Sequence, residues 1–272
     1  MDDRTRTYLD ANRRHWDEIV PIHEASPLYD VAGFKAGAPR LHALERGEVG
    51  DVRGKTLLHL QCHFGLDTIA WAREGGAIVT GIDFAPTAIE TARRLAAEVG
   101  VSARFVCAEV DGLPEVLDGN FDVVFTSYGV LGWLPDLYRW ARVVAHFLRP
   151  GGAFYIVEFH PFAWLFDDRP GVTEMKLHYP YFPGTEPLRD DPAGTYADLS
   201  AHVENRVRYN FPYTLGDTVS ALIAAGLRLD YLHEHPFSPH RVWPFTAPVG
   251  DGTFAMPGHA SLPCLFSIRA TR

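Results

Sequence analysis

The chain has 272 residues, 47% of them hydrophobic and 22% charged, so it has enough apolar material for a sizeable core and too much for a largely disordered chain. Its formal charge is −9 with Lys and Arg scattered, which argues against a nucleic-acid backbone or an anionic membrane as the main partner. Three cysteines without a framework spacing, no apolar signal core and no run of roughly 18 apolar residues predict a cytoplasmic protein without a membrane span.

The first 50 residues predict a helical cover. Residues 5–20 show the period of an amphipathic helix, whereas Pro and Gly residues between position 20 and Val49 predict irregular chain. We therefore predict an N-terminal helical cover over residues 1–50 and a main domain over residues 51–272. The apolar stripe of the helix consists of Leu9, Asn12, Trp16, Ile19 and Val20.

From residue 55, short apolar runs alternate with helical stretches. The runs are TLLHLQC, AIVTGIDF, ARFVCAEV, FDVVFTSY and GAFYIVEF. This alternation is typical of parallel strands that are buried on both faces and joined by right-handed crossovers. It predicts a doubly wound α/β domain whose ligand lies beyond the carboxyl ends of the first one or two strands, where the strand order reverses.

A long insertion interrupts this pattern at about residues 160–213, where Pro, Gly and aromatic residues are dense. A structureless run of this length is often a lid or a binding segment. After it we predict a helix that stops at Gly226, a strand, a second Pro-rich stretch and a last strand, LPCLFSIRA. Aromatic residues exposed in the insertion could equally face a second subunit, so a homodimer is a further expectation.

The loop after the first strand reads HLQCHFGLDT. Such a turn lets backbone N–H groups face a ligand; Gly65 permits close approach, and Asp67 or Thr68 can cap the helix that follows. The dinucleotide fingerprint G-x-G-x-x-G is absent, which disfavours a nicotinamide dehydrogenase. An ordinary strand-to-helix turn is the alternative.

The next two strands also end in polar groups. Asp83 at the tip of the second strand is placed to accept both hydroxyls of a ribose, and the ring of Phe84 can cover an adenine. We expect the third strand to end at Glu109 and Val110, where a carboxylate and a backbone N–H would meet the edge of a base. The alternatives are that Asp83 caps the helix starting near Pro86 and that Glu109 is a solvated strand end.

Together these strand ends resemble the class I S-adenosylmethionine-dependent methyltransferases. In that family an acidic residue is followed by G-x-G-x-G, and the matching positions here are His59 and then Gln61, His63 and Gly65. GIDFAPTAIETAR matches the ribose-binding motif, FVCAEVDGLP the adenine segment, and FDVVFTSYGVLGWLPDLYRWARVVAHFLRPGG the fourth strand through the turn before the fifth. The similarity covers about residues 52–160. LHLQCHFGLDT, VTGIDF and LPCLFSIRA further resemble a poorly characterised bacterial branch of the family.

The resemblance implies a Rossmann-like α/β fold with a doubly wound seven-stranded sheet, and S-adenosylmethionine as cofactor, released as S-adenosylhomocysteine. It implies methyl transfer to a small-molecule acceptor. A non-catalytic S-adenosylmethionine-binding protein, or an enzyme with other S-adenosylmethionine chemistry, remains the alternative. The implied cofactor-binding residues are Gln61, His63, Gly65, Asp67, Thr68, Asp83, Phe84, Glu109, Val110 and Ser127.

Displacement at a sulfonium mainly requires alignment and exclusion of water, with a base where the acceptor must lose a proton. The candidate bases at the strand tips are His160, Glu158 and His63, each of which could instead be structural. The aromatic residues Trp16, Tyr29, Tyr128 and Trp133 could form a substrate lid or simply pack. His233 and His235 share a strand face with His240 nearby, but no familiar zinc spacing occurs, so no metal is expected.

Overall fold

A seven-stranded sheet flanked by helices forms the centre of the protein, in a computed structural model that describes residues 1–182, 184–250, 252–258 and 261–272. The strands are β1 (Thr56–His59), β2 (Ile78–Asp83), β3 (Ala103–Cys107), β4 (Phe121–Ser127), β5 (Leu148–Phe159), β6 (Leu188–Asp190), β7 (Arg208–Asn210), β8 (Arg228–His235), β9 (Ala247–Gly250), β10 (Thr253–Ala255) and β11 (Leu265–Thr271). The α-helices are α1 (Asp3–Ala25), α2 (Val31–Lys35), α3 (Ala43–Val49), α4 (Leu66–Arg73), α5 (Pro86–Glu98), α6 (Leu137–Phe147) and α7 (Leu215–Ala224).

The strand order in the large sheet is β3-β2-β1-β4-β5-β11-β8. Strands β1 to β5 pair in parallel, whereas β11 runs antiparallel to both β5 and β8. The order reverses between β1 and β4, so the carboxyl ends of these two strands flank the switch point at which such sheets bind ligands. The predicted doubly wound, seven-stranded sheet is confirmed.

Alternate residues of the inner strands pack into two layers. On one face Phe125 lies against Trp71 of α4, and on the other Phe154 lies against Trp140 of α6. All four side chains are buried. Burial on both faces explains why these strands read as nearly continuous apolar runs in the sequence.

The N-terminal segment is more helical than the sequence predicts. Helix α1 is longer than the predicted span, and α2 and α3 lie in the stretch expected to be irregular, so that expectation is wrong. Local side-chain bonds start these short helices: the Asp30 carboxylate accepts the Gly33 N–H, and the Glu45 carboxylate accepts the His42 N–H. No helix within the described residues is both long and apolar enough to cross a membrane.

The insertion at 160–213 carries a short antiparallel pair, β6 with β7, and is therefore not wholly structureless. It packs on α1 through polar contacts. The Asn12 side chain donates to the Tyr209 carbonyl oxygen at 2.8 Å and accepts the Tyr209 N–H at 2.7 Å. The Glu18 carboxylate accepts the backbone N–H groups of Glu204 and Asn205. These contacts hold the insertion against the N-terminal helix.

Candidate functional site

The loop after β1 has left-handed backbone at three alternate residues. The φ angles are 55° at Gln61, 51° at His63 and 79° at Gly65. Left-handed backbone costs a residue with a side chain roughly 1–2 kcal/mol, so Gln61 and His63 keep a glycine-type conformation at an energetic cost. Gly65 itself is fixed by packing, because a Cβ there would lie 2.7 Å from the Phe105 ring and 2.8 Å from the Ala92 Cβ.

Two hydrogen bonds join this loop to neighbouring strand ends. The His63 N–H donates to the Asp83 carboxylate at 2.8 Å, at the tip of β2. The Gln61 side-chain amide donates to the Val130 carbonyl oxygen at 3.0 Å, just beyond β4. The Gln61 side-chain oxygen is buried and has no hydrogen-bond partner among the described residues. It is an acceptor in position for a polar ligand.

Asp83 lies at the tip of β2, as predicted, and is 8% exposed. One carboxylate oxygen accepts the His63 N–H and the other accepts the Ala85 N–H. Burial raises the pKa of Asp83 to about 6. Asp83 does not cap the next helix, since the N-cap of α5 is Ala85 and that cap has no side-chain hydrogen bond. The partly buried ring of Phe84 follows directly.

The third strand ends earlier than predicted, at Cys107. Glu109 therefore stands outside β3, where it precedes a 3₁₀ turn, and its carboxylate lies 2.5 Å from the Arg6 guanidinium of α1. Val110 is the first residue of that turn and its side chain is buried in the core.

Asp67 and Thr68 do not cap α4, so that expectation is wrong. The helix begins at Leu66 with Gly65 as its N-cap, and no side chain caps it. The buried Thr68 hydroxyl is instead hydrogen-bonded to His59 Nδ1 at 2.8 Å. Asp67 accepts a hydrogen bond from the Arg40 guanidinium at 2.8 Å. Both side chains are thus engaged within the protein.

Three of the four predicted lid residues lie together above the loop. The Trp16 ring centroid is 5.1 Å from that of Trp133 and 5.4 Å from that of His63, and Tyr29 packs on Phe64 at 4.8 Å. Helix α1 thus reaches over the tips of β1 and β4.

A histidine pair forms the polar part of this cover. His23 Nδ1 lies 2.9 Å from His63 Nε2. Burial lowers the pKa of His23 to about 3 and that of His63 well below its ordinary value, so both rings are uncharged and one donates its N–H to the other. Tyr196 of the insertion bonds to the Tyr29 hydroxyl and packs on His23. Nothing in the sequence singled out Tyr196, which only the fold brings here.

Tyr128, the fourth predicted lid residue, lies in a different environment. It follows Ser127 at the tip of β4 and has a left-handed φ of 44°. Its hydroxyl donates to Glu45 of α3 at 2.7 Å, and its ring lies 5.0 Å from that of His240 and 6.0 Å from that of His42. Glu45 and His42 were missed because their segment was expected to be irregular.

The two candidate bases at the end of β5 have protein partners. The Glu158 carboxylate accepts the backbone N–H groups of Gly129, Val130, Leu131 and Phe159. His160 Nδ1 accepts the Phe162 N–H at 3.0 Å, and its Nε2–H donates to Glu234 at 2.9 Å. The atoms that would take a proton are therefore already hydrogen-bonded, and both side chains hold the backbone or a neighbouring strand in place.

The three histidines considered as metal ligands have separate partners. His233 donates to Glu48, and His235 is hydrogen-bonded to Ser267, whereas His240 packs on Tyr128. Within the described ranges no group of three or more His, Cys, Asp or Glu side chains is arranged to hold a metal ion.

The seven-stranded order with antiparallel β11 between β5 and β8, the glycine-type loop after β1 and the carboxylate at the tip of β2 match the class I methyltransferase fold. Residues 57–152 match a family model described as a methyltransferase domain. The fold is shared by a solved S-adenosylmethionine-dependent methyltransferase from Mesorhizobium loti. The TM-score is 0.58 at 22% identity, over 88% of this chain and 100% of that one. The resemblance seen in the sequence is confirmed.

Curated relatives match about half of the chain. A ubiquinone biosynthesis O-methyltransferase from Serratia proteamaculans is 32% identical over 56% of this chain and 59% of its own length. Its counterpart from Neisseria meningitidis is 36% identical over 52% of this chain and 55% of its own length. The chain therefore matches less than two thirds of the length of these relatives.

Proposed function

We propose that the protein binds S-adenosylmethionine at the tips of β1, β2 and β4 and transfers its methyl group to a small-molecule acceptor. The observation that carries the proposal is the link between the ends of β1 and β2. The loop after β1 has left-handed residues at positions 61, 63 and 65, and the His63 N–H bonds to Asp83 at the tip of β2. The curated relatives support methyl transfer and favour an oxygen atom as acceptor.

The polar groups at these tips suit such a cofactor. Each Asp83 oxygen accepts one backbone N–H and keeps a lone pair for a ribose hydroxyl. The unpaired Gln61 oxygen can accept a hydrogen bond from the ammonium group of the methionine moiety. When bound, S-adenosylmethionine supplies a methyl group on a sulfonium, a cation that the rings of Trp16 and Tyr29 can face.

The N-terminal cover excludes water from the strand tips. Asp17 of α1 accepts the Thr87 N–H at the start of α5, and Arg6 of α1 pairs with Glu109. These two contacts lay α1 across the tips of β2 and β3, while Trp16 lies above β1 and β4. Alignment in a dry site is the main requirement of a displacement at a sulfonium. We therefore infer that residues 1–50 act as a cover for the domain over residues 51–272, with the insertion at 160–213 as the second part of the lid.

Calorimetric titration with S-adenosylmethionine and with S-adenosylhomocysteine tests the proposal. We expect micromolar affinity, about −8 kcal/mol, in the intact protein and a loss of at least about tenfold in Asp83→Asn, since charge-assisted hydrogen bonds contribute about 1.5–3 kcal/mol. Asp122→Asn is the matched control, because Asp122 lies at the amino-terminal end of β4, away from the strand tips, where it accepts the Thr56 N–H. No binding to the intact protein, or equal binding by Asp83→Asn, would contradict the proposal.

A further inference from the structure

Helix α3 presents two glutamates that each accept a tyrosine hydroxyl from the sheet. Glu45 accepts from Tyr128 at 2.7 Å, and Glu48 accepts from Tyr155 at 2.8 Å. The two pairs have the same chemistry but different positions. Tyr155 lies in the middle of β5 and is fully buried, whereas Tyr128 follows the tip of β4 beside the switch point. The Glu48–Tyr155 pair therefore also attaches α3 to the sheet, so this attachment does not depend on the Glu45–Tyr128 pair alone.

The surroundings of Tyr128 are aromatic and contain unused polar atoms. Its ring lies near those of His42, His240 and Phe159, at 5.0 to 6.0 Å between centroids. Within the described ranges the ring nitrogens of His240 have no hydrogen-bond partner, and burial lowers the pKa of both His240 and His42, so both imidazoles are uncharged. Tyr128 also has a left-handed backbone, and such strain at a residue other than glycine often occurs at functional sites.

In this cluster Glu45 is the carboxylate that can accept a proton near neutral pH. Burial, and next the nearby Asp67, raise the pKa of Glu45 to about 7, against hydrogen bonds from the His42 backbone and the Tyr128 hydroxyl. Arg40 and Tyr155 are the other ionisable groups that face it. Burial favours a higher pKa for Glu48 as well. Hydrogen bonds from Ser267, His233 and Tyr155 outweigh it and hold the pKa of Glu48 below its ordinary value.

We propose that Tyr128 and Glu45 form a proton path for an acceptor hydroxyl on an aromatic ring that binds beside Tyr128. This inference rests on the methyl transfer proposed above. Tyr128 is the catalytic residue, because its hydroxyl would touch the acceptor. Glu45 is 2% exposed and acts through Tyr128. The uncharged imidazoles and aromatic rings favour a flat, neutral acceptor over a charged one.

The transfer balances in atoms and charge. The acceptor hydroxyl gives its proton to the Tyr128 oxygen while Tyr128 gives its own proton to the Glu45 carboxylate. The acceptor oxygen forms the new O–CH₃ bond with its lone pair, and the electron pair of the broken S–CH₃ bond stays on sulfur. A carboxylate and a sulfonium thus both become neutral, which is favourable in a site shielded from water.

The experiment compares the intact protein with Glu45→Gln, Tyr128→Phe and the control Glu48→Gln. Catechol and phenol, which both stay protonated near neutral pH, are the probes, aniline is the comparator without a hydroxyl, and release of S-adenosylhomocysteine is followed on both sides of neutral pH. We expect turnover of a phenol that rises with pH through about 7 as Glu45 ionises. Glu45→Gln and Tyr128→Phe should each lose on the order of 10²-fold or more of it, as for other general bases, and Glu48→Gln should retain it.

Binding of S-adenosylhomocysteine, measured in the same four proteins, separates the two proposals. Unchanged binding with lost turnover in Glu45→Gln supports the proton path. Binding without turnover of any phenol, turnover of aniline alone, or full activity of Glu45→Gln with an unshifted pH profile would overturn it while methyl transfer stands. No binding in the intact protein would overturn both.

Discussion

The ends of β2 and β5 each hold a buried carboxylate, but the two carboxylates are used differently. Glu158 accepts four backbone N–H groups and so fastens residues 129–131 to β5. Asp83 accepts two and keeps acceptor capacity. Burial raises the pKa of both. A carboxylate at a strand tip therefore indicates a ligand site only where the backbone leaves its oxygens partly free.

Removal of the Glu158 carboxylate should have the largest effect on stability. Glu158→Ala leaves four N–H groups at a buried strand end without their acceptor, and each unsatisfied group costs about 1–3 kcal/mol. We expect the free energy of unfolding, measured by urea denaturation, to fall by about 4 kcal/mol, the sum at the lower end of that range. Asp122→Ala, which removes a less buried acceptor, should cost about 1 kcal/mol. Equal losses in the two variants would show that Glu158 does not anchor the loop.

Asp83 should affect binding and its pH dependence more than folding. The raised pKa means that ionised Asp83 opposes folding, a cost that is absent below its unfolded value of 3.8 and complete above about 6. Ribose hydroxyls would offset that cost, because only the carboxylate accepts both of them. The affinity for S-adenosylhomocysteine should therefore be constant above about pH 7 and fall by up to about tenfold per unit below the pKa of Asp83.

Calorimetric titrations at several pH values check this dependence. Asp83→Asn should bind weakly at every pH, with a flat profile in the same range. An intact protein whose affinity does not change through pH 6 would show that the Asp83 carboxylate is not the group that holds the ligand.

The difference between the two carboxylates could not be read from the sequence. Asp83 was identifiable because the tip of a parallel strand beside the switch point is a position set by chain order alone. The partners of Glu158 depend on how residues 129–131 fold back from β4 onto β5, which is a long-range contact. Glu45 was missed because α3 has seven residues and is held by contacts with the sheet more than by its own helical period. The direction of the Tyr128 side chain likewise follows from a left-handed backbone angle that its residue type does not favour.

Gln61 connects the two strand ends, since its side chain bonds to Val130 while its loop neighbour His63 bonds to Asp83. Gln61→Gly removes the hydrogen bond, worth about 1 kcal/mol, and also removes the left-handed strain, worth about 1–2 kcal/mol. Because glycine also loses more backbone freedom on folding, we expect a net change in unfolding free energy within about 1 kcal/mol. Gln61→Ala loses the bond and keeps the strain, so it should be less stable than Gln61→Gly by about 1 kcal/mol. If the alanine variant were the more stable one, the loop would not depend on its left-handed backbone, and the match between positions 61 and 63 and the family's glycines would have no physical basis.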